Sequence, residues 1–180
     1  MKILYAGSSQ SSSLILESLI AGSNEVIGVI SQPDRRSKRR ASAEPSYVSS
    51  VAEKNDINVY KPQNLDENFK HTILQLKFDI LLVASYGKIL PEWLLKTPSK
   101  DSINIHYSLL PKYRGASPIQ SALLNGEKIT GISIMRMTAG LDEGPVFVFH
   151  TQEILSTDNK NTLEKKLTSL SIKTIEKDLS

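Results

Sequence analysis

Residues 79–84 read Asp-Ile-Leu-Leu-Val-Ala, and this nearly unbroken apolar run constrains the fold more than any other stretch of the chain. A strand with one wet face alternates apolar and polar residues. A strand that is apolar at successive positions must be covered on both faces, the usual condition of a parallel sheet flanked by helices. Residues 2–6 (Lys-Ile-Leu-Tyr-Ala) predict a second short buried strand ending at Gly7. Leu14, Ile15, Leu16, Leu19 and Ile20 then recur at helical spacing, and Gly22 suits the helix end. Further strands are expected at 25–31, 57–60, 102–106, 130–135 and 146–154, with helices at 47–54, around 69–76, at 118–124 and from 163 to 179. Residues 31–45 read as a loop.

Strand–helix alternation at this pace predicts an α/β class: a Rossmann-like open, mostly parallel sheet with helices on both faces, and a mixed edge where the last two strands leave no room for a long helix between them. A length of 180 residues suits one domain over 1–180. With 39% hydrophobic and 23% charged residues the chain can bury an ordinary core, so disorder is excluded. The absence of cysteine excludes thiolate metal sites and cysteine nucleophiles. No apolar run approaches the ~20 residues of a membrane span, and Met1 to Gly7 turns polar too soon for a secretory signal. A cytoplasmic enzyme is expected. Its final helix should leave part of an apolar face exposed.

Ligands of doubly wound sheets bind beyond the carboxyl ends of the strands, which directs attention to the loops after Gly7, Ser31, Ala84 and Ile105. Asn104 and His106 stand two apart on a strand, so they share a face. Asp142, in Gly140-Leu141-Asp142-Glu143-Gly144, offers a carboxylate. Such a trio can run an acyl transfer to an amine: the amide donates to an oxygen gaining charge, and imidazole moves a proton. Taken alone, the pair is more often structural or incidental than catalytic, and Asp142 alone fits a turn. Serines at 8–13 can cradle phosphate or simply cap the next helix. Arg35, Arg36, Lys38, Arg39 and Arg40 carry the basic character of a chain whose formal charge is +3. That run is either a solvated loop or a patch for an anionic partner. His71 and His150 read as structural, and no metal-ligand spacing exists.

The longer pattern resembles the folate-dependent formyltransferase family. The matching pieces are Asn104-Ile105-His106, Ser108-Leu109-Leu110-Pro111 through Gly115, Thr130-Gly131 and Leu141-Asp142-x-Gly144, in order and spacing. Arg114-Gly115-Ala116-Ser117-Pro118-Ile119-Gln120, Ser31-Gln32-Pro33-Asp34-Arg35, Val59-Tyr60-Lys61-Pro62 and Ala84-Ser85-Tyr86-Gly87-Lys88-Ile89-Leu90-Pro91 extend it over essentially the whole chain, and they favour the branch acting on aminoacyl-tRNA.

The resemblance implies 10-formyltetrahydrofolate as co-substrate and the amino group of methionine, esterified to initiator tRNA, as acceptor. It implies that Asn104 holds the developing oxyanion, His106 relays a proton and Asp142 orients His106. It further implies folate contacts at Tyr86, Gly87, Ile89, Leu90, Pro91, Ser108, Leu109, Leu110, Pro111, Thr138 and Leu141. The basic run, Arg35 to Arg40, is expected to meet the tRNA acceptor end. A monomer is expected, without metal or membrane. The chain departs from the family in having Gly7-Ser8-Ser9-Gln10 where Gly-Thr-Pro is usual, in the acidic Glu143, and in reaching Ser180 before the family's C-terminal β-barrel domain, which is expected to be absent. Two alternatives stay open: another amine as acceptor, or a folate- or RNA-binding fragment without turnover. Against the first, Gly7-Ser8-Ser9 lacks the second glycine of the glycinamide ribonucleotide enzymes' phosphate loop, and the long basic loop argues against an amino sugar.

Overall fold

In chain order, β1 (Lys2–Gly7), α1 (Gln10–Ala21), β2 (Glu25–Ile30), β3 (Arg35–Arg36), β4 (Ala43–Glu44), α2 (Tyr47–Lys54), β5 (Val59–Tyr60), α3 (Glu67–Leu74), β6 (Ile80–Ala84) and α4 (Glu92–Leu95) belong to a first unit, Met1–Ser102. A second unit, Ile103–Ser180, takes in most of β7 (Asp101–His106), then α5 (Pro118–Leu124), β8 (Ile129–Arg136), β9 (Val146–Glu153) and α6 (Lys160–Asp178). The computed structural model describes residues 1–36 and 43–179, and of Arg35 and Arg36 only the backbone. Lys38, Arg39 and Arg40 therefore lie outside the described residues.

The strands of the first unit run in the order β5-β2-β1-β6, each pair parallel. β6 is buried at every position and β1 at every position after Lys2, which is why neither alternates. Ile15, Leu16 and Leu19 of α1 are fully covered, each contributing roughly 1.5–3 kcal/mol by leaving water. Ser9 caps α1 by accepting a hydrogen bond from the Ser12 amide at 3.1 Å, and Gly22 closes it. A Cβ on Gly7 would lie 2.8 Å from the Ala84 carbonyl oxygen, so glycine alone lets the ends of β1 and β6 meet closely. Two features depart from the sequence reading. The stretch 31–45 contains an antiparallel ribbon, with Arg35 opposite Glu44 and Arg36 opposite Ala43. Residues 92–95 form the short α4, which is a single turn and too short to show a period.

In the second unit β7, β8 and β9 are successive antiparallel neighbours. β8 is buried over its six central residues, and β9 alternates strictly along its length. α6 buries Leu163, Leu167 and Ile175, and Leu179 just beyond it is covered as well. The expected exposed apolar face of this helix is thus not found. Large apolar side chains of this unit left exposed include Phe147 and Phe149, on the open face of β9, and Leu155. Asn159 caps α6 through a capping box, and Asp158 accepts from Lys166 at 2.5 Å. His150 lies 2.8 Å from Asp178, joining β9 to the helix end. Among the described residues no helix is long and apolar enough to cross a membrane.

Candidate functional site

β7 delivers the central residues of the second unit. Asn104 stands opposite Met135 and His106 opposite Ser133, so the pleat puts both side chains on one face. Asn104 is half-buried, and its amide makes no hydrogen bond among the described residues. The imidazole of His106 is buried at 6% exposure. Its Nε2 lies 2.9 Å from the Tyr113 carbonyl oxygen and its Nδ1 3.5 Å from Asp142 Oδ2. The first distance is a hydrogen bond; the second is a looser charge contact. Asp142 Oδ2 also accepts from the Gly115 amide at 2.8 Å.

Left-handed backbone marks this region. Tyr113 (φ 58°), Gly115 (φ 93°) and Asp142 (φ 50°) all have positive φ. For Tyr113, a non-glycine residue, that conformation costs about 1–2 kcal/mol and must be held by its surroundings. The loop after β7 is bound internally: Ser133 Oγ accepts from the Leu110 amide at 3.1 Å and donates to the Ser108 carbonyl at 2.6 Å, while Ser108 Oγ donates to the Lys112 carbonyl at 2.6 Å. Tyr113 Oη donates to Glu127 Oε1 at 2.7 Å, and Lys112 Nζ reaches the same oxygen at 2.8 Å. The hydrogen bonds from Lys112 and Tyr113 hold the Glu127 carboxyl below its ordinary pKa, whereas the bond to Glu127 raises the Tyr113 phenol. Glu143, the departure beside Asp142, faces Arg114 at 3.7 Å on the surface. Thr138 is exposed, and Leu141 is 66% exposed. A Cβ on Gly144 would lie 1.9 Å from the Arg136 carbonyl oxygen, so this turn lies directly against the end of β8.

The first unit carries the other candidates. Tyr86 and Leu90 are buried, Gly87 is left-handed at φ 82°, and Ile89 is 86% exposed. Burial pushes the Tyr86 phenol up to about 12, and its hydroxyl has no hydrogen-bond partner among the described residues. Gln32 Nε2 donates to the Tyr86 carbonyl at 2.9 Å, and the Gln32 amide donates to Ser8 Oγ at 3.1 Å. These residues edge a cleft of about 650 Å³ that also includes Ser9, Ser46 and Lys88, a volume in the ordinary range for small-ligand sites. At the foot of the ribbon, Asp34 pairs with Lys61 at 2.9 Å, and Lys61 also reaches Glu53 at 2.9 Å.

Asn104, His106 and Asp142 are thus neighbours within one unit, while Tyr86 to Pro91 shape a loop of the other. The Tyr113 carbonyl, the Gly115 amide, Ser133, Glu127 and Gln32 belong to these surroundings and were not singled out from the sequence. Main-chain acceptors and amides carry no side-chain signature. The hint in the sequence is that Gln32, Tyr113 and Gly115 lie inside matched segments.

A family model described as formyl transferase matches residues 1–177. The chain is 46% identical over 172 residues to a methionyl-tRNA formyltransferase of Dictyoglomus thermophilum, covering 94% of this chain and 55% of that protein. It is 42% identical over 179 residues to a methionyl-tRNA formyltransferase of Staphylococcus epidermidis, covering 99% of this chain and 57% of that one. It therefore spans little more than half the length of the curated relatives it matches. A phosphoribosylglycinamide formyltransferase structure from Bacillus halodurans aligns with a TM-score of 0.80 at 22% identity, over 99% of this chain and 93% of that one. At that identity the likeness speaks for the fold: α/β, Rossmann-like, mostly parallel with a mixed edge.

Proposed function

The chain belongs to the formyl transferase family, and from that premise we propose that it transfers a formyl group from 10-formyltetrahydrofolate to the α-amino group of methionine esterified to initiator tRNA. The observation that carries the reading is the buried His106 at the end of β7, with Asp142 Oδ2 3.5 Å from Nδ1 and the uncommitted Asn104 amide on the same face. The amine nitrogen attacks the formyl carbon, and the carbonyl electrons move onto oxygen. Asn104 donates a hydrogen bond to that oxyanion. His106 takes the proton released by the amine and returns it to N10 of the folate as the carbon–N10 bond breaks. The products are the formamide and tetrahydrofolate, so no external base is consumed. Asp142 supports the imidazolium formed between the two proton transfers.

Folate contacts at Ile89 and at Leu141 follow from the family resemblance, and each of these side chains is exposed within its own unit; the left-handed Gly87 permits close backbone approach. The resemblance also assigns folate contacts to Ser108, Leu109, Leu110 and Pro111, of which Ser108 and Leu110 have buried side chains. Arg35, Arg36, Lys38, Arg39 and Arg40 would neutralise phosphates of the tRNA acceptor end, which predicts binding that weakens steeply with salt. The protein is read as a cytoplasmic monomer.

The test is an acid-gel assay for formyl-methionyl-tRNA, with calorimetry against a folate analogue. Asn104→Ala and His106→Ala should each lower turnover by about 100-fold or more while folate affinity and melting temperature hold. Near-normal turnover in both variants would remove the assigned roles. Formylation of glycinamide ribonucleotide in place of methionyl-tRNA would move the acceptor, and folate binding without any transfer would make the chain a binding fragment.

A further inference from the structure

The Tyr113 carbonyl touches His106 directly, and its aim depends on how residue 113 is held. Two restraints converge on residue 113. On its N-terminal side the Lys112 carbonyl is tied to Ser108 Oγ at 2.6 Å, and Ser108 and Ser133 are fully buried. On the side-chain end, the Tyr113 hydroxyl donates to Glu127 Oε1 at 2.7 Å, an oxygen that Lys112 Nζ also holds at 2.8 Å. Glu127 is itself fixed by its amide, which donates to the Ala122 carbonyl at 3.1 Å, and its side chain is only 25% exposed. A phenol anchored at its far end cannot swing, so the left-handed backbone that carries it keeps one orientation.

A carbonyl is an acceptor only. Facing Nε2 at 2.9 Å, it requires the Nε2 hydrogen to be present, and in a neutral ring the lone pair is then on Nδ1. Nδ1 is the nitrogen 3.5 Å from Asp142, too far for a strong bond to form before a proton arrives. We propose that Glu127 is a positioning residue: by clamping Tyr113 and Lys112 it holds the Tyr113 carbonyl against Nε2, and so sets His106 in the tautomer whose Nδ1 accepts the proton of the attacking amine. This inference deepens the formyl-transfer reading and rests on it for the identity of that proton. Glu127 touches no reacting atom. Its effect passes through Tyr113.

The chain has only three histidines, so long-range nitrogen–proton NMR of the uniformly labelled protein, with His106→Ala for assignment, reads the ring directly. The neutral His106 ring should carry its proton on Nε2. Glu127→Ala should give a mixture of tautomers and lower kcat for formyl transfer by about tenfold or more, with both KM values within about twofold and circular dichroism unchanged. Glu127→Gln, which keeps an acceptor oxygen, should recover most of that loss. Tyr113→Phe should shift the tautomers in the same direction, and adding it to Glu127→Ala should cost little more. It also serves as the probe if Glu127→Ala does not fold. A wild-type ring protonated on Nδ1 would overturn the inference, as would a Glu127→Ala spectrum identical to wild type or a kcat within twofold of it. If the wild-type chain formylates no amine, the formyl-transfer reading fails, and the ring spectrum still decides whether Glu127 sets the tautomer.

Discussion

Ser133→Ala removes one oxygen and strands two buried main-chain groups. Ser133 Oγ accepts from the Leu110 amide at 3.1 Å and donates to the Ser108 carbonyl at 2.6 Å. Ser133 and Ser108 are fully buried and Leu110 is 7% exposed, so water does not reach these groups readily. Each unmet group costs about 1–3 kcal/mol, so the two together set the expected loss at about 2–6 kcal/mol. That is a large share of the roughly 5–15 kcal/mol that holds a typical domain together. Urea unfolding of the variant should show a lower midpoint at an unchanged slope, and hydrogen exchange should show the Leu110 amide losing its protection. The control is Ser121→Ala, where the hydroxyl donates to the Ser117 carbonyl at the surface and the change should stay within about 0.5 kcal/mol. A Ser133→Ala variant within about 1 kcal/mol of wild type, with Leu110 still protected, would refute the bridging role.

Two further outcomes follow from the packing and the charges. Gly131→Ala would place a Cβ 2.0 Å from the His150 carbonyl oxygen and 2.7 Å from Leu109. Because backbone cannot yield as a side chain can, the loss should reach about 3 kcal/mol or more, a fall in melting temperature of roughly 6–12 °C. Asp158→Asn tests a pH dependence. The hydrogen bonds from Lys166 and then from the Leu155 amide hold this carboxyl below its ordinary range. Its stabilisation is therefore present above an unfolded pKa of about 3.9 and fades as pH falls through the lower folded value. Wild type and variant should differ in melting temperature at neutral pH and converge in strong acid; a gap that persists there would contradict the pairing.

How legible the chain was depends on the kind of interaction involved. β6 stood out because its Ile, Leu, Leu and Val leave no polar position for water. Tyr47–Lys54 and Pro118–Leu124 emerged as helices with their expected bounds. The ribbon of β3 and β4 did not, since Arg-Arg opposite Ala-Glu has neither alternation nor an apolar face. The sequence predicts exposed apolar surface on the last helix because the family's β-barrel domain, expected to be absent, would otherwise supply a partner for its apolar face. Leu163, Leu167, Ile175 and Leu179 are buried and Leu170 and Ile172 half-buried, while Phe147 and Phe149 on β9 are among the apolar side chains that remain exposed. At the candidate site, side-chain chemistry points to Asn104, His106 and Asp142 as candidates. Tyr113 and Gly115 act there through main-chain atoms, and a tyrosine gives no sign in sequence that it adopts φ 58°.

Asp142 and Gly115 are 27 residues apart in sequence, yet a single carboxylate oxygen fastens one to the other. Two surface turns are thereby stitched into one mechanical piece. Parting them would move the oxygen that lies 3.5 Å from the His106 ring. A shift of Asp142 alone would thus alter two contacts at once, the one to the Gly115 amide and the one to the imidazole.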